Sequence, residues 1–214
     1  PEDEREKFDS LPAQYSHLYL CIAGELAAVI CIFDPLRAEA KDAIRALHAC
    51  GISKVVMMTG DNRRTAASVA EEVGVDEFYA EVLPEDKAAF IRREKAAGRT
   101  VIMIGDGVND SPALSEADAG VAISTGAAIA REIADITIAS EDLFELVTLR
   151  RISEALMGRI HRNYRFIVGF NLGLIVFGVA GLLPPTTSAL LHNASTLAIS
   201  LKSMTNLLPD KKKI

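Results

Sequence analysis

Residues 100–110, with the sequence TVIMIGDGVND, decide the fold of this chain. The first half, residues 100–104, is mainly a continuous apolar run, which is typical of a strand buried on both faces of a sheet. The second half, residues 105–110, combines glycine with carboxylate residues and predicts a loop at the carboxyl end of that strand. In a parallel α/β sheet, ligands bind beyond the carboxyl ends of the strands. The stretch therefore predicts a parallel sheet with a ligand-binding loop.

The same combination occurs earlier, where the mainly apolar residues 54–59 run into Thr59, Gly60 and Asp61. Around these two stretches, apolar strands alternate with segments of helical period, several of which end at glycine. Such alternation favours an α/β fold, a parallel sheet with helices on both faces. Helices are predicted over residues 37–50, 63–73, 85–97, 111–117 and 127–134, and strands over residues 54–59, 77–80, 100–104, 120–123 and 136–139.

The beginning of the chain is polar up to residue 14 and continues with two apolar runs, residues 18–22 and 26–33. Gly24 and Glu25 separate these runs, which predicts a β-hairpin. The chain has no initiator methionine, so we expect it to begin inside a longer protein.

The end of the chain contains two apolar runs, residues 166–183 and 186–208, on either side of a Pro-Pro pair. Each is long enough to cross a hydrocarbon layer of about 30 Å as a helix, which predicts a two-helix transmembrane hairpin. Arginines precede the first run and lysines follow the second, so the positive-inside tendency puts both ends in the cytoplasm. The alternative is a buried helical hairpin in a soluble protein.

The bulk composition excludes some classes of function. The net charge of −6 argues against nucleic acid as the main partner, because domains that bind nucleic acid carry an excess of cations. Cys21, Cys31 and Cys50 lack the spacing of a metal site and lie in apolar runs or beside glycine, which predicts buried, reduced thiols. Composition and cysteine spacing thus indicate neither a nucleic-acid-binding surface nor a cysteine metal site.

The two strand-end loops carry groups that bind phosphate. The Thr59 hydroxyl and the amide groups after Gly60 can cradle phosphoryl oxygens at the start of the following helix. Lys87 lies at the start of a predicted helix after Pro84 and can neutralise a phosphate, and Asn109 can form a hydrogen bond to the same oxygens. Each signal alone is common in plain turns and solvated helices, but their combination at strand ends predicts a phosphate site.

Two carboxylates of the second loop suggest a cation beside the phosphate. Asp106 and Asp110 lie four positions apart across the turn, so both side chains can point at one ion. Mg²⁺ is the expected ion, because it takes few carboxylates together with water and phosphate oxygens. The sequence therefore predicts that phosphate and Mg²⁺ bind at the same edge of the sheet.

Four motifs, in this order, resemble those of P-type ATPases, whose phosphorylation domain belongs to the haloacid-dehalogenase superfamily. They are residues 34–37 (DPLR), 58–61 (MTGD), 83–87 (LPEDK) and 105–114 (GDGVNDSPAL). The resemblance extends over nearly the whole chain from Leu18 onward. It implies a Rossmann-like haloacid-dehalogenase sheet, ATP as a partner and a transporter in a lipid membrane.

The resemblance also implies a role for each loop residue. Thr59 and Gly60 would contact the phosphoryl group, Asp61 would help to position it and the attacking water, and Lys87 would stabilise its charge. Asp106 would bind Mg²⁺, and Asn109 and Asp110 would order the site.

The nucleophile that the resemblance implies is missing. No strand ends in Asp-Lys-Thr-Gly-Thr, and Asp34 is followed by Pro-Leu-Arg instead. We therefore expect the isolated chain neither to phosphorylate itself nor to hydrolyse ATP efficiently, and to need the missing amino-terminal part of the same pump. The alternatives are a soluble haloacid-dehalogenase-type phosphatase, whose Asp-x-Asp motif is not found here, and a truncated regulatory paralogue.

A two-helix tail resembles the heavy-metal-transporting branch of the family, which implies a transition metal as cargo. Polar groups in apolar helices are costly and indicate contact with protein or with a cavity. Nitrogen and oxygen ligands without thiolates favour Zn²⁺, Mn²⁺ or Fe²⁺ over Cu⁺, and the alternative is hydrogen bonding between the helices without a metal. The candidate ligands are Asn171, His192, Asn193, Ser195 and Thr196.

Together these features predict five segments and a location. The segments are the end of a nucleotide-binding domain (residues 1–33), a phosphorylation domain (34–145), a linker helix (146–165), a transmembrane hairpin (166–209) and a cytoplasmic tail (210–214). The implied location is a plasma or inner membrane, with the phosphorylation domain in the cytoplasm.

Overall fold

The computed structural model of the chain describes residues 10–12, 15–32, 35–105, 108–123, 132–139 and 142–208. The chain divides into two compact units, Pro1–Val147 and Thr148–Ile214. The five predicted segments are finer than this division, and their boundaries stay predictions.

The first unit begins with the β-hairpin that the sequence predicts. Strand β1 covers Ser16–Ile22 and pairs antiparallel with β2, Glu25–Ile32. Gly24 turns the chain between them with a φ angle of 88°, which a glycine adopts without steric cost. Cys21 and Cys31 are exposed on this hairpin, so the prediction that they are buried is wrong. Two strands alone cannot cover both faces of their own ribbon.

The rest of the first unit is built on parallel strands. Strand β3, Val56–Met58, pairs with β4, Glu77–Tyr79. Strands β5, Ile102–Gly105, β6, Ala119–Ile123, and β7, Ile136–Ile138, form a second sheet in this order. All pairings within both sheets are parallel, as the continuous apolar runs predict.

Helices alternate with these strands along the chain, so the predicted parallel α/β fold is confirmed. The predicted helix over residues 127–134 lies largely outside the described residues. The described helices are α1 (Ala40–Ala49), α2 (Arg63–Val73), α3 (Pro84–Ala96) and α4 (Ser111–Glu116), and a 3₁₀ turn covers Val108–Asp110.

A recurring aspartate, which the sequence reasoning missed, ties each parallel strand to its neighbour. The aspartate directly precedes a strand, and its carboxylate accepts a hydrogen bond from a main-chain N–H near the start of the adjacent strand. At Asp118 this hydrogen bond, together with Lys95, holds the pKa of the carboxyl below its ordinary value. The N–O distances are 2.6 Å from Val55 to Asp76, 2.8 Å from Val101 to Asp118 and 2.8 Å from Gly120 to Asp135.

The two parallel sheets share one core. Met58 of β3 packs against the buried cluster that includes Met103 of β5, although β3 and β5 are not paired with each other. Helices α3 and α4 supply most of the remaining side chains. The buried cluster consists of Ile91, Met103, Ala113, Leu114 and Ala122.

The second unit is a hairpin of two helices. Helix α5 covers Phe144–Val179 and begins before the boundary between the units, and α6 covers Pro185–Ser203. The chain turns between them at Gly181, whose φ angle is 73°. The helical hairpin itself agrees with the sequence pattern.

Within the described residues, no helix combines the length and the apolar character that a membrane crossing needs. The prediction that residues 166–183 and 186–208 form a transmembrane hairpin is corrected accordingly. Only part of the first apolar run is helical, because α5 ends at Val179. The turns of α5 that precede this run are rich in arginine, which lowers the apolar character of the helix. Helix α6 has 19 residues, and His192, Asn193 and Lys202 lie among them.

Candidate active site

The first strand-end loop follows β3 and closes on itself. The Thr59 hydroxyl donates a hydrogen bond to Asp61 Oδ2 at 2.8 Å, and its oxygen accepts one from the Asp61 main-chain N–H at 3.1 Å. The Thr59 N–H donates a hydrogen bond to the Tyr79 carbonyl at 3.0 Å, so the loop begins directly after the last contact between β3 and β4. Thr59 is half-buried, whereas Gly60 and Asp61 are exposed. A ligand that accepts the Thr59 hydroxyl proton must therefore replace Asp61.

An asparagine anchors this loop to helix α2. The Thr65 N–H donates to Asn62 Oδ1 at 3.0 Å, and Asn62 Nδ2 donates to Thr65 Oγ1 at 3.1 Å. The sequence reasoning missed Asn62, although an asparagine directly before a helix is a recognised capping signal. The cap holds the loop at the N-terminal end of α2, where main-chain N–H groups favour an anion.

The second strand-end loop forms an ion pair with helix α3. Lys87 Nζ donates a hydrogen bond to Asp110 Oδ1 at 2.8 Å, and the two side chains are only 16% and 12% exposed. Lys87 lies in the first turn of α3, where Asp86 Oδ2 accepts the Leu83 N–H at 3.2 Å. Loss of either partner would leave a largely buried charge without compensation, at a cost of about 3–5 kcal/mol. The pair therefore fixes the start of α3 against the end of β5.

Gly105 lets Asp110 approach the end of β5. A Cβ on Gly105 would lie 2.7 Å from Asp110 Cβ and 2.8 Å from Asp110 Oδ2, which is closer than such atoms approach without a shift. The glycine is thus needed for space rather than for a positive φ angle. Asp110 faces Lys87 with one oxygen and the Gly105 backbone with the other.

The described residues leave part of the predicted site open. Asp106, with Gly107, lies outside them, and Asn109 is exposed. Ser111 Oγ is buried and has no hydrogen-bond partner within the described part of the chain. The carboxylate and hydroxyl oxygens here are of the kind that Mg²⁺ prefers. The binding of Mg²⁺ by Asp106 and Asp110 stays a prediction.

In the helical unit, the structure brings two of the candidate metal ligands together. His192 Nδ1 and Asn171 Oδ1 lie 2.8 Å apart across α5 and α6. Because an amide oxygen only accepts hydrogen bonds, a hydrogen bond here requires the proton on Nδ1, and in the neutral tautomer that carries it Nε2 keeps a lone pair for another partner. Ser195 and Thr196 instead donate their hydroxyl protons to the His192 carbonyl, at 2.8 and 3.0 Å. The side chain of Asn193 is exposed.

The chain has close counterparts among known proteins. The family of haloacid dehalogenase-like hydrolases matches residues 2–118, which is more than half of the chain. The chain belongs to the haloacid dehalogenase-like hydrolases. The fold predicted from the strand-end motifs is therefore confirmed.

The relatives of this family member are heavy-metal P-type ATPases. The chain is 46% identical over 176 residues to the copper-transporting ATPase 2 of Rhizobium meliloti (strain 1021), a match that covers 82% of the chain and 21% of the relative. It is 40% identical over 183 residues to the manganese-exporting P-type ATPase of Mycobacterium tuberculosis (strain ATCC 25618 / H37Rv), covering 85% of the chain and 26% of the relative. The chain thus spans about a fifth to a quarter of the length of these relatives.

A solved structure gives the same result. The crystal structure of a zinc-transporting PIB-type ATPase in the E2.Pi state matches with a TM-score of 0.82 and 30% sequence identity. The match covers 95% of this chain and 34% of that structure. The predicted resemblance to heavy-metal P-type ATPases is confirmed.

Proposed function

We propose that this chain is the carboxy-terminal part of an ATP-driven pump for a transition-metal ion. The Lys87–Asp110 pair at the end of β5 carries the proposal, because it holds a cation where a phosphoryl group would bind in a parallel α/β fold. The copper-, manganese- and zinc-transporting relatives support it. The complete pump would be a metal-translocating P-type ATPase, and this chain alone would not hydrolyse ATP efficiently.

The missing aspartate would arrive on an additional strand. Within the described residues, β3 pairs only with β4 and β5 pairs only with β6, while Met58 and Met103 pack in the same core. A parallel strand between β3 and β5 would pair with both open edges, whose main-chain groups are ready to form hydrogen bonds. Its carboxyl end would lie beside Thr59 and Gly105. The missing amino-terminal part of the pump would supply this strand together with most of the ATP-binding domain.

The proposed chemistry divides ATP hydrolysis into two steps. The carboxylate of the missing aspartate attacks the terminal phosphoryl group, and the bond to ADP breaks as the new P–O bond forms. Water then attacks the same phosphorus, which releases phosphate and restores the carboxylate. Lys87 stabilises the charge on the phosphoryl oxygens in both steps, and Thr59 and Gly60 hold these oxygens. When bound, Mg²⁺ would supply further charge neutralisation, with Asp106 and Asp110 as its ligands and Asn109 ordering the loop.

The hydrogen bonds of the two loops suggest how the steps are separated. Without a phosphoryl group, the Thr59 hydroxyl is bound to Asp61 and Lys87 is bound to Asp110. An arriving phosphoryl oxygen would accept the Thr59 proton and would share the Lys87 ammonium group. The Asp61 carboxylate would then be released and could orient the water that attacks in the second step.

The helical unit would contribute to the path of the metal. The hydrogen bond from His192 Nδ1 to Asn171 supports this assignment, because such a bond orients the ring and leaves Nε2 as a ligand. Asn193, Ser195 and Thr196 would add oxygen ligands, and this donor set favours Zn²⁺, Mn²⁺ or Fe²⁺ over Cu⁺. The complete pump would lie in a plasma or inner membrane, with the α/β unit in the cytoplasm.

Replacement of Asp106 in the complete protein tests the proposal. Asp106→Asn removes a charge that Mg²⁺ needs, and phosphoenzyme turnover should fall at least about a hundredfold, because the charge stabilisation by a metal ion is worth several kcal/mol. Glu85→Gln is the matched control, since Glu85 is an exposed carboxylate in the first turn of α3. Turnover of the Asp106→Asn phosphoenzyme at the wild-type rate would contradict the assignment. Hydrolysis of simple phosphate esters by this chain alone would favour a soluble phosphatase. If the chain inhibits a partner protein and no phosphoenzyme forms, a regulatory paralogue would be favoured.

A further inference from the structure

We propose that Arg159 is a positioning residue that fixes the register of α5 against α6 and so holds His192 against Asn171. The inference rests on the proposed role of the helical unit in metal transport. It adds a residue that binds no metal and acts through the helix that carries the ligand.

The guanidinium group of Arg159 binds the end of α6. It donates three hydrogen bonds to main-chain carbonyl groups, at 2.8 Å to Ser203, 2.7 Å to Thr205 and 2.9 Å to Asn206. Carbonyl groups at the end of a helix lack partners within the helix, and a cation there is also favoured by the helix dipole. The planar guanidinium presents its donors in a fixed arrangement, so a single side chain binds the last residue of α6 and two residues that follow the helix.

A second side chain supports the same contact. Asn163 lies about one turn after Arg159 on α5, and its Nδ2 donates a hydrogen bond to Ser203 Oγ at 2.9 Å. Ser203 Oγ in turn donates to the Ile199 carbonyl at 2.8 Å, which fixes the orientation of the hydroxyl. Arg159 and Asn163, one turn apart on α5, therefore both contact Ser203 at the end of α6.

The spacing of the contacts links this end of the hairpin to the histidine. Arg159 precedes Asn171 by 12 positions on α5, and His192 precedes Ser203 by 11 positions on α6. At a rise of about 1.5 Å per residue these separations are about 18 Å and about 16.5 Å, so the two contacts agree with one antiparallel register. A slip by one residue would move His192 by about 1.5 Å relative to Asn171, enough to break a hydrogen bond. The three bonds of Arg159 oppose such a slip.

The test uses the complete protein and four single variants. Arg159→Ala removes the contact, and Arg159→Lys keeps the charge without the planar group. Arg162→Ala is the matched control, because Arg162 is an exposed arginine on the same helix, and His192→Ala tests the ligand itself. The readouts are hydrogen exchange of residues 199–206 by mass spectrometry, the Zn²⁺ concentration for half-maximal ATP turnover, and phosphoenzyme formation from inorganic phosphate.

We expect Arg159→Ala to speed exchange at the end of α6 and to raise the half-maximal Zn²⁺ concentration about tenfold, because small misplacements of a ligand weaken a site strongly. Arg159→Lys should fall between Arg159→Ala and wild type, and Arg162→Ala should match wild type in both readouts. The phosphoenzyme from inorganic phosphate should be unchanged, since it reports on the α/β unit. If Arg159→Ala loses this phosphoenzyme through general unfolding, the same comparison is made with Arg159→Lys.

Two results would overturn the proposal. Unchanged exchange at residues 199–206 in Arg159→Ala would show that the contact does not hold the end of α6. Faster exchange with an unchanged Zn²⁺ requirement, while His192→Ala raises that requirement, would show that the contact does not position the ligand. If His192→Ala itself leaves the Zn²⁺ requirement unchanged, the proposed metal site is wrong. Hydrogen exchange then shows separately whether Arg159 holds the end of α6, because that readout does not depend on the metal.

Discussion

The α/β unit and the helical unit place their candidate site residues on different kinds of element. In the α/β unit most of these residues lie on loops that follow strands, where Lys87 of α3 pairs with Asp110 and the absence of a side chain at Gly105 gives that carboxylate room. In the helical unit His192 and Asn171 lie on two separate helices and contact each other across them. A change at the Lys87–Asp110 pair should affect both stability and the proposed chemistry, because the pair is largely buried. A change at His192 should remove a proposed metal ligand and leave the fold in place.

The largest effect is expected when the ion pair of the α/β unit is broken. Lys87→Met should lower the rate of phosphoenzyme formation in the complete protein at least about a hundredfold, because it removes a cation from the proposed phosphoryl site. It should also lower the free energy of unfolding of the α/β unit by about 3 kcal/mol, because Asp110 is left buried without its partner. Rapid-quench phosphorylation and urea unfolding measure the two effects.

A double variant separates these two consequences. Lys87→Met combined with Asp110→Asn removes both charges and should regain most of the stability while the protein stays inactive. A Lys87→Met protein with normal phosphorylation and normal stability would show that this pair does not belong to the site.

A smaller effect is expected from the glycine at the end of β5. Gly105→Ala forces a Cβ against Asp110 and should lower the free energy of unfolding by about 1–3 kcal/mol. Gly60→Ala is the control for stability, because among the described residues a Cβ there would approach only the Val82 carbonyl oxygen, at 4.0 Å. Equal urea midpoints for the two variants would contradict the close approach of Asp110 to the strand.

In the helical unit, His192→Ala should raise the half-maximal Zn²⁺ concentration about tenfold, as expected when one ligand or its support is lost. The urea unfolding of the α/β unit should not change, since the histidine belongs to the other unit. His161→Ala, at an exposed histidine of α5, is the control. A normal Zn²⁺ requirement in His192→Ala would show that this histidine is not a metal ligand and contributes only to packing between the helices.

The smallest effect concerns pH and the aspartates before the strands. The pKa of Asp118 in the folded protein lies below its ordinary value, first because of the hydrogen bond from Val101 and then because of Lys95. The ionised carboxylate therefore stabilises the folded unit above about pH 4, and this contribution is lost as the pH falls through the folded-state pKa. The stability difference between wild type and Asp118→Asn should be constant from about pH 5 to 7 and should narrow below about pH 4.

The exposed Asp42, which pairs with Arg45 on α1, provides the control for this pH series. Asp42→Asn should leave the acid side of the stability curve nearly unchanged, because exposed pairs contribute little. A wild-type-to-Asp118→Asn difference that stays constant down to about pH 2 would show that the carboxylate does not tie the strands together.

The sequence predicts the order of helices and strands because apolar periodicity reports directly on burial. It also predicts which residues stand at the strand ends, since glycine and aspartate mark the loops there. It does not predict the partner of each group. The pattern assigns Lys87 to phosphate and Asp110 to Mg²⁺ separately, whereas the ion pair between them depends on how α3 packs against the loop after β5. The sequence does not predict the role of the aspartates before the strands, because a single carboxylate between a helix and a strand has no distinctive pattern.

The end of α5 shows the same limit in the helical unit. An apolar run does not reveal where its helix ends, and the turn at Gly181 shortens the helical part of residues 166–183. In the sequence, Arg159 is one of several arginines before the first apolar run, and only the structure reveals its hydrogen bonds to three carbonyl groups.

The central claim is that this chain completes a site whose nucleophile lies on another part of the pump. The most direct test mixes the purified chain with a separately produced amino-terminal part that carries Asp-Lys-Thr-Gly-Thr, adds ATP labelled in the terminal phosphate, and measures acid-stable phosphate that hydroxylamine removes. We predict label on the amino-terminal part only when both parts are present, and no label with Lys87→Met. Label on this chain itself, or a stable complex of both parts without any label, would contradict the account.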